Sequence, residues 1–283
     1  MSIAKFNVTL IQPDGYLHSL ALLEAGEYIH YEIAKAGYQS LLTKNHLDSN
    51  SINIVLGAHL APDQINQIKS KLIIFNSEQL PEDSVWTSLA YRNLLENHYV
   101  WDYSQENINR VNHNKINLIN FYYCDELHRL TPLKNPEFDL IFYGSMNERR
   151  ALIIQDLESE GLKVKTLFGV YGVERDQCLI NSRAVLNLHY YDAQIFQQIR
   201  AFYPLINNIP VISENYPHAT APEIYEKSVF KNDGQLIKDY VINILKDDEK
   251  FRLESTVKLS KFKNFVATDT LSKRIPELID SFF

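Results

Sequence analysis

His18, His59 and Glu78 are the residues in the first half of this 283-residue chain best suited to take a proton from a hydroxyl group. General-base catalysis needs a histidine or a carboxylate within hydrogen-bond reach of the proton it removes. Each of the three follows an apolar run: His18 after residues 6–11, His59 after residues 52–56 and Glu78 after residues 71–75. If those runs are parallel strands, all three groups fall at one sheet edge, the edge where such sheets bind ligands. Taken singly, each is more simply explained as a hydrogen-bonded structural residue.

The first of these turns carries Asp14, Gly15 and Tyr16 ahead of His18 and Ser19. Backbone N–H groups at a helix start attract anions, so the turn could hold a ligand. An ordinary turn with an aspartate cap reads equally well. The loop has no GxGxxG fingerprint, so nothing here points to a dinucleotide.

The second half repeats the pattern more clearly. Apolar runs at 138–143, 164–168, 184–189 and 210–213 alternate with helical stretches. Ala151, Ile154 and Leu157 share one helical face, residues 174–182 form a second helix, and Phe196, Ile199, Tyr203 and Ile206 mark a third. The strand ends carry Gly144-Ser145, Gly169-Val170-Tyr171-Gly172, His189-Tyr190-Tyr191-Asp192 and Glu214-Asn215-Tyr216. Polar, aromatic and glycine-rich ends on apolar strands are what a ligand-binding edge requires.

Strands alternating with helices predict parallel βαβ units and an α/β fold class. The first half contributes strands at 6–11, 38–43, 52–56, 71–75, 99–104 and 116–119, with helices at 22–36, from Pro62, at 84–97 and at 105–112. Thr131-Pro132 and Asn135-Pro136 place a junction in residues 122–137. The expected division is 1–125, 126–265 and a C-terminal helix at 266–283, interrupted by Pro276 and packing back on the first domain. Helices at 233–245 and 247–262 have charged outer faces.

Composition narrows the function classes. A 45% hydrophobic fraction supports real cores. The net charge of −7 argues against nonspecific nucleic-acid binding, which depends on neutralising phosphates. Cys124 and Cys178 form no CxxC pattern, so no zinc site or disulfide framework is indicated. No apolar run reaches the ~18–20 residues that span a bilayer. The first residues lead straight into a strand pattern, which predicts a cytoplasmic location. Peripheral membrane association through another protein stays open.

Several stretches together resemble glycosyltransferases of the two-Rossmann GT-B architecture, in particular poorly characterised bacterial, family-1-like members. They are residues 142–150 (FYGSMNERR), 167–176 (LFGVYGVERD) and 185–191 (VLNLHYY), with 12–19 (QPDGYLHS) and 75–80 (FNSEQL) in the first half. The resemblance implies two Rossmann-like domains facing across a cleft, with the acceptor against the first and a nucleotide-sugar donor held by the second. It implies transfer of the sugar to a hydroxyl acceptor, such as a growing surface glycan, with neither cofactor nor metal. The sequence lacks the Asp-x-Asp signature of metal-dependent transferases.

Without a metal, the leaving diphosphate needs fixed cations or helix N-termini. Arg149 and Arg150 resemble the basic residues that serve this purpose, and Arg200 is a further candidate. One of the adjacent pair must point elsewhere, because neighbouring helical positions lie about 100° apart. The other donor-side positions implied are Gly144, Ser145, Asn147, Gly169, Tyr171, His189, Tyr190, Asp192, Gln194, Phe196 and Glu214. Phe196 is expected to start a helix facing the phosphates.

One departure matters. Many retaining members carry two glutamates, with seven residues between them, before the strand equivalent to 210–213; here those places hold Ile195 and Tyr203. Asp192 or Glu214 could substitute. An inverting enzyme needs a protein base, for which His18, His59 and Glu78 are the candidates in that order. A retaining enzyme needs none on that face. A nucleotide-sugar epimerase or hydrolase, or a noncatalytic glycan- or nucleotide-binding subunit, are the alternatives on the same scaffold.

Overall fold

A computed structural model describes residues 4–69, 72–80, 88–110, 115–190, 195–215 and 221–282. The chain divides into two compact units: Met1–Phe121 with Ala267–Phe283, and Tyr122–Val266.

The first unit is built on β1 (Lys5–Leu10), α1 (Leu23–Lys35), β2 (Gln39–Lys44), β3 (Ile52–Leu56), α2 (Pro62–Asn66), β4 (Leu72–Asn76), α3 (Leu89–Asn97), β5 (Tyr99–Asp102), α4 (Gln105–Arg110) and β6 (Ile116–Leu118). Its strands form one parallel sheet in the order β2-β1-β3-β4-β5-β6. Every residue of β3 and β4 is buried, because helices cover both faces of a parallel sheet. This explains why those strands read as continuous apolar runs rather than alternating ones. The polar exceptions are paired: Asn7 of β1 donates to Asn53 of β3 at 2.9 Å and accepts from Thr43 of β2 at 2.8 Å, which pins the three strands in register.

The second unit comprises β7 (Phe138–Tyr143), α5 (Glu148–Ser159), β8 (Val164–Leu167), α6 (Gly172–Ile180), β9 (Ser182–Asn187), α7 (Gln198–Ile206), β10 (Val211–Ser213), α8 (Glu223–Ser228), β11 (Phe230–Lys231), α9 (Ile237–Leu245) and α10 (Asp248–Lys263). The sheet is again wholly parallel, in the order β11-β10-β9-β7-β8. Leu140, Phe142, Ala184, Leu186 and Ile212 from its central strands pack with Ile154 and Leu157 of α5 and Val241 of α9.

The chain then returns to the first unit as α11 (Leu271–Phe282). Glu32 of α1 accepts hydrogen bonds from the Ser272 N–H at 3.1 Å and the Ser272 hydroxyl at 2.8 Å, tying the start of α11 down. Pro276 does not interrupt this helix, contrary to expectation. It is exposed, while Leu271, Ile275 and Leu278 bury the opposite side, and burying that face outweighs the one missing hydrogen bond. Residues 195–197 are likewise not helical, so Phe196 precedes α7 instead of starting it. The short α8 and β11 were not foreseen. Neither is long enough to show a period.

Candidate functional site

Both sheets have a switch point, where the chain changes the direction in which it adds strands. It lies between β1 and β3 in the first unit and between β7 and β9 in the second. Loops from adjacent strands diverge there and leave room for a ligand at the carboxyl ends. Several of the predicted site residues lie near these two places.

In the second unit, Gly144 ends β7 with a φ of +137°, a conformation that L side chains rarely adopt. A Cβ there would lie 3.0 Å from Nη2 of Arg200. Gly144→Ala is therefore expected to cost about 1–3 kcal/mol and displace Arg200, measurable by urea denaturation. Asn147 then caps α5, its Oδ1 accepting the Arg150 N–H at 2.9 Å. Its Nδ2 donates to the Tyr190 carbonyl at 3.3 Å.

Arg149 and Arg150 diverge as their helical spacing requires, yet both reach the chain beyond β9. Arg150 is 1% exposed. It donates to the carbonyls of Ser145 at 2.6 Å, His189 at 3.1 Å and Leu188, and lies over the rings of Phe142 and Tyr190 at 5.2 and 5.0 Å. Arg149, with a side chain 49% exposed, forms a two-pronged ion pair with Glu214. Glu214 also accepts the His189 N–H at 2.7 Å.

Arg200 comes in from α7, and its Nη1 donates to Asn187 Oδ1 and the Leu188 carbonyl, each at 3.2 Å. Its backbone is anchored by a feature of α7. Pro204 has no N–H to offer the Arg200 carbonyl, which instead accepts the Tyr143 hydroxyl at 2.8 Å.

Three guanidinium groups thus crowd around the ends of β7 and β9. Burial, and then the charge of Arg200, pull Arg150 down to about 9, against the opposing pull of Glu214. His189 is buried, which lowers its pKa, and its Nε2 lies 2.9 Å from the Asn215 carbonyl. Donation to that carbonyl puts the ring proton on Nε2.

Not every expected donor contact joins this cluster. Phe196 is buried against Tyr225, with ring centroids 5.1 Å apart, so it belongs to the core. Gly169 turns the chain after β8 with a φ of +70°, and Tyr171 precedes α6. Asp192 and Gln194 lie outside the described residues. At the two places where the resemblance expects glutamates, Ile195 is buried and Tyr203 is structural. The Tyr203 hydroxyl donates to Asp176 at 3.0 Å and accepts from Arg129 at 2.9 Å, and the Arg175 guanidinium lies 4.9 Å from its ring.

In the first unit, His59 follows Gly57, whose φ is +74°. The His59 Nε2 lies 3.5 Å from Glu78 Oε1, and the side chains are 9% and 20% exposed. The ring therefore stands behind the carboxylate. Burial lowers the His59 pKa, and Glu78 opposes that shift. Tyr16 has its phenol pushed up by burial and by the Glu78 charge. His18 packs edge-on against Tyr16 at 5.2 Å. Asp14 and Gly15 are exposed on the same loop. Asn76, Tyr91, Asp102 and Asn107, which surround Glu78, were missed from sequence. The available signal was a polar residue closing each apolar strand, at Asn76 and Asp102.

No protein-family model matches the chain. Its curated relatives include uncharacterized proteins of Acanthamoeba polyphaga mimivirus. L137 is 28% identical over 207 residues, covering 68% of this chain and 28% of that protein. L140 is 25% identical over 207 residues, covering 70% of this chain and 67% of that protein. The chain thus spans little more than a quarter of the length of L137.

Solved structures match over nearly the whole length. Sucrose-phosphate synthase from Thermosynechococcus elongatus superposes with a TM-score of 0.62 at 10% identity, covering 99% of each chain. Anabaena HepE, solved with UDP and glucose, gives 0.61 at 10% identity, covering 97% of this chain and 99% of that one. The T4 phage glucosyltransferase BGT, solved with its UDP-glucose substrate, gives 0.51 at 12%, covering 99% and 98%. The fold is GT-B. In that GT-B frame the matched relatives by sequence are viral, where the resemblance had pointed to bacterial enzymes. Among the described residues, no helix is long and apolar enough to cross a membrane.

Proposed function

We propose that this chain transfers a sugar from a nucleotide-activated donor to a hydroxyl acceptor, a glycan or similar molecule. One observation carries the reading: Arg149, Arg150 and Arg200 crowd at the carboxyl ends of parallel strands, where burial and mutual repulsion depress Arg150. Three guanidinium groups facing the single carboxylate of Glu214 leave a surplus of positive charge, which suits a diphosphate that gains charge as it leaves. Arg149 and Arg200 contact the phosphates, while the buried Arg150 holds the loop between them. In this reading they supply the charge a divalent ion would otherwise bring. HepE and T4 BGT were solved with UDP or UDP-glucose, which makes uridine diphosphate the first donor to test.

On the acceptor side, Glu78 is the base, backed by His59. This reverses the order drawn from sequence, because the ring is the more enclosed of the two groups. A neutral His59 beside the carboxylate can share the proton that arrives.

The test is a thermal-shift titration with UDP, run in EDTA and again in magnesium. UDP at 100 times its Kd is expected to add about 2.7 kcal/mol of stability, equally in both buffers. Arg149→Ala should sharply reduce the response, and uridine should give none. No UDP response in either buffer would remove the proposal. A response confined to magnesium would remove its metal-independent form. UDP-glucose consumption at the same rate with and without added sugar acceptors would favour a hydrolase.

A further inference from the structure

Two side chains from separate elements converge on the main chain of Glu78, and a third ties them together. Asn76, the last residue of β4, donates through Nδ2 to the Glu78 carbonyl at 2.9 Å and accepts the Glu78 N–H at 3.1 Å. Asn107 of α4 donates to the same carbonyl at 2.9 Å and accepts the Leu80 N–H at 3.1 Å. Asp102, at the end of β5, ties the two amides together. Its Oδ2 accepts from Asn76 Nδ2 at 2.6 Å, and its Oδ1 accepts from Asn107 Nδ2 at 3.1 Å and the Ser104 N–H at 2.8 Å. The Tyr91 hydroxyl donates to Asn76 Oδ1 at 2.8 Å.

The polarity of this network is set by groups that work in one direction: the Glu78 and Leu80 N–H groups donate to the amide oxygens, and Asp102 accepts from the amide nitrogens. An amide side chain has a donor end and an acceptor end, and turning it over exchanges them. An ionised carboxylate can only accept. Asp102 therefore holds both amides with their NH2 groups toward it, and their second hydrogens reach the Glu78 carbonyl. Holding such a carboxylate 2% exposed is unfavourable, and burial pushes Asp102 up to about 7 despite its hydrogen bonds. Simple chain reversal does not demand that cost. Placing a functional side chain does.

We propose that Asp102 is a positioning residue for the Glu78–His59 pair: by orienting the amides of Asn76 and Asn107, it fixes the main chain from which the Glu78 carboxylate meets the His59 ring. This deepens the acceptor-side reading above, but its test needs no turnover.

The readout is the NMR titration of the His59 C2 proton in the full-length protein. Glu78→Gln removes the charge that favours the imidazolium and should lower the His59 pKa by about 1 unit. Asp102→Asn presents an NH2 group to the donors of Asn76 or Asn107. That amide turns over or draws back, the Glu78 carbonyl loses a donor, and the carboxylate leaves the ring. His59 should therefore fall as it does in Glu78→Gln, and adding Asp102→Asn to Glu78→Gln should lower it no further. A His59 titration unchanged by Asp102→Asn would overturn the proposal. So would an equal drop in the Glu78→Gln background, because that effect would not pass through Glu78. If Asp102→Asn does not fold, Asn107→Ala removes one of the two donors to the carbonyl. A smaller drop in the same direction supports the role, and an unmoved His59 rejects it. A chain that passes but transfers no sugar would lose the transferase reading and keep this one.

Discussion

Replacing Arg150 by alanine is expected to lower stability by about 4 kcal/mol, which for a chain of this size is a fall in Tm of roughly 10 °C. The reason is the set of groups left behind. Three carbonyls, those of Ser145, Leu188 and His189, take hydrogen bonds from this one buried guanidinium. Each unmet buried acceptor costs about 1–3 kcal/mol. The UDP-dependent thermal shift should vanish as well, since the loops after β7 and β9 would no longer keep Arg149 and Arg200 at their spacing. Arg150→Lys restores the charge, but a single ammonium cannot serve three carbonyls, so less than half of the loss should return. Arg149→Ala provides the contrast. Its half-exposed ion pair with Glu214 is screened by water and adds little to stability, so that variant should lose the UDP response with its Tm nearly unchanged. Equal destabilisation by the two variants would show that Arg150 is not the scaffold.

The second large effect concerns Glu78, the base proposed for the acceptor side. Glu78→Gln keeps the shape of the side chain and removes its ability to take a proton, so sugar transfer should fall about 10²–10⁴-fold. UDP should still raise Tm, because the arginine cluster belongs to the other unit. His59→Asn should lower transfer less, since the ring stands behind the carboxylate. Measuring His18→Asn in the same assay discriminates between candidates. His18 packs on Tyr16 at the edge of the β1 loop, and its replacement should leave most of the rate. A loss with His18→Asn that exceeds the loss with Glu78→Gln would transfer the role to His18. Unaltered transfer in all three variants would indicate a retaining reaction, which needs no base on that face.

Much of this molecule follows from short-range pattern alone. Residues 52–56 and 138–143 are strands because largely apolar runs between polar turns can be buried in a parallel sheet. Asn147 caps a helix because its side chain reaches an N–H three residues along. The alternation of such elements implies two α/β halves with polar ends, and the distinctive strand ends of the second half suggest the GT-B arrangement.

Side-chain direction and long-range pairing lie beyond that range. Arg149 and Arg150 are neighbours of identical chemistry. Only the approach of the chain beyond β9 makes one a half-exposed partner of Glu214 and the other a buried brace. Asn76 and Asp102 are 26 residues apart and meet because β4 and β5 pair in register. Tyr203 stands where a glutamate was expected, and its role becomes visible only once Arg129 and Asp176 close around its hydroxyl. Local composition determines which segments become strands and helices, because backbone hydrogen bonding and burial act over a few residues. Which polar groups face one another is decided by packing, because a buried donor or acceptor must find its partner wherever the fold brings one.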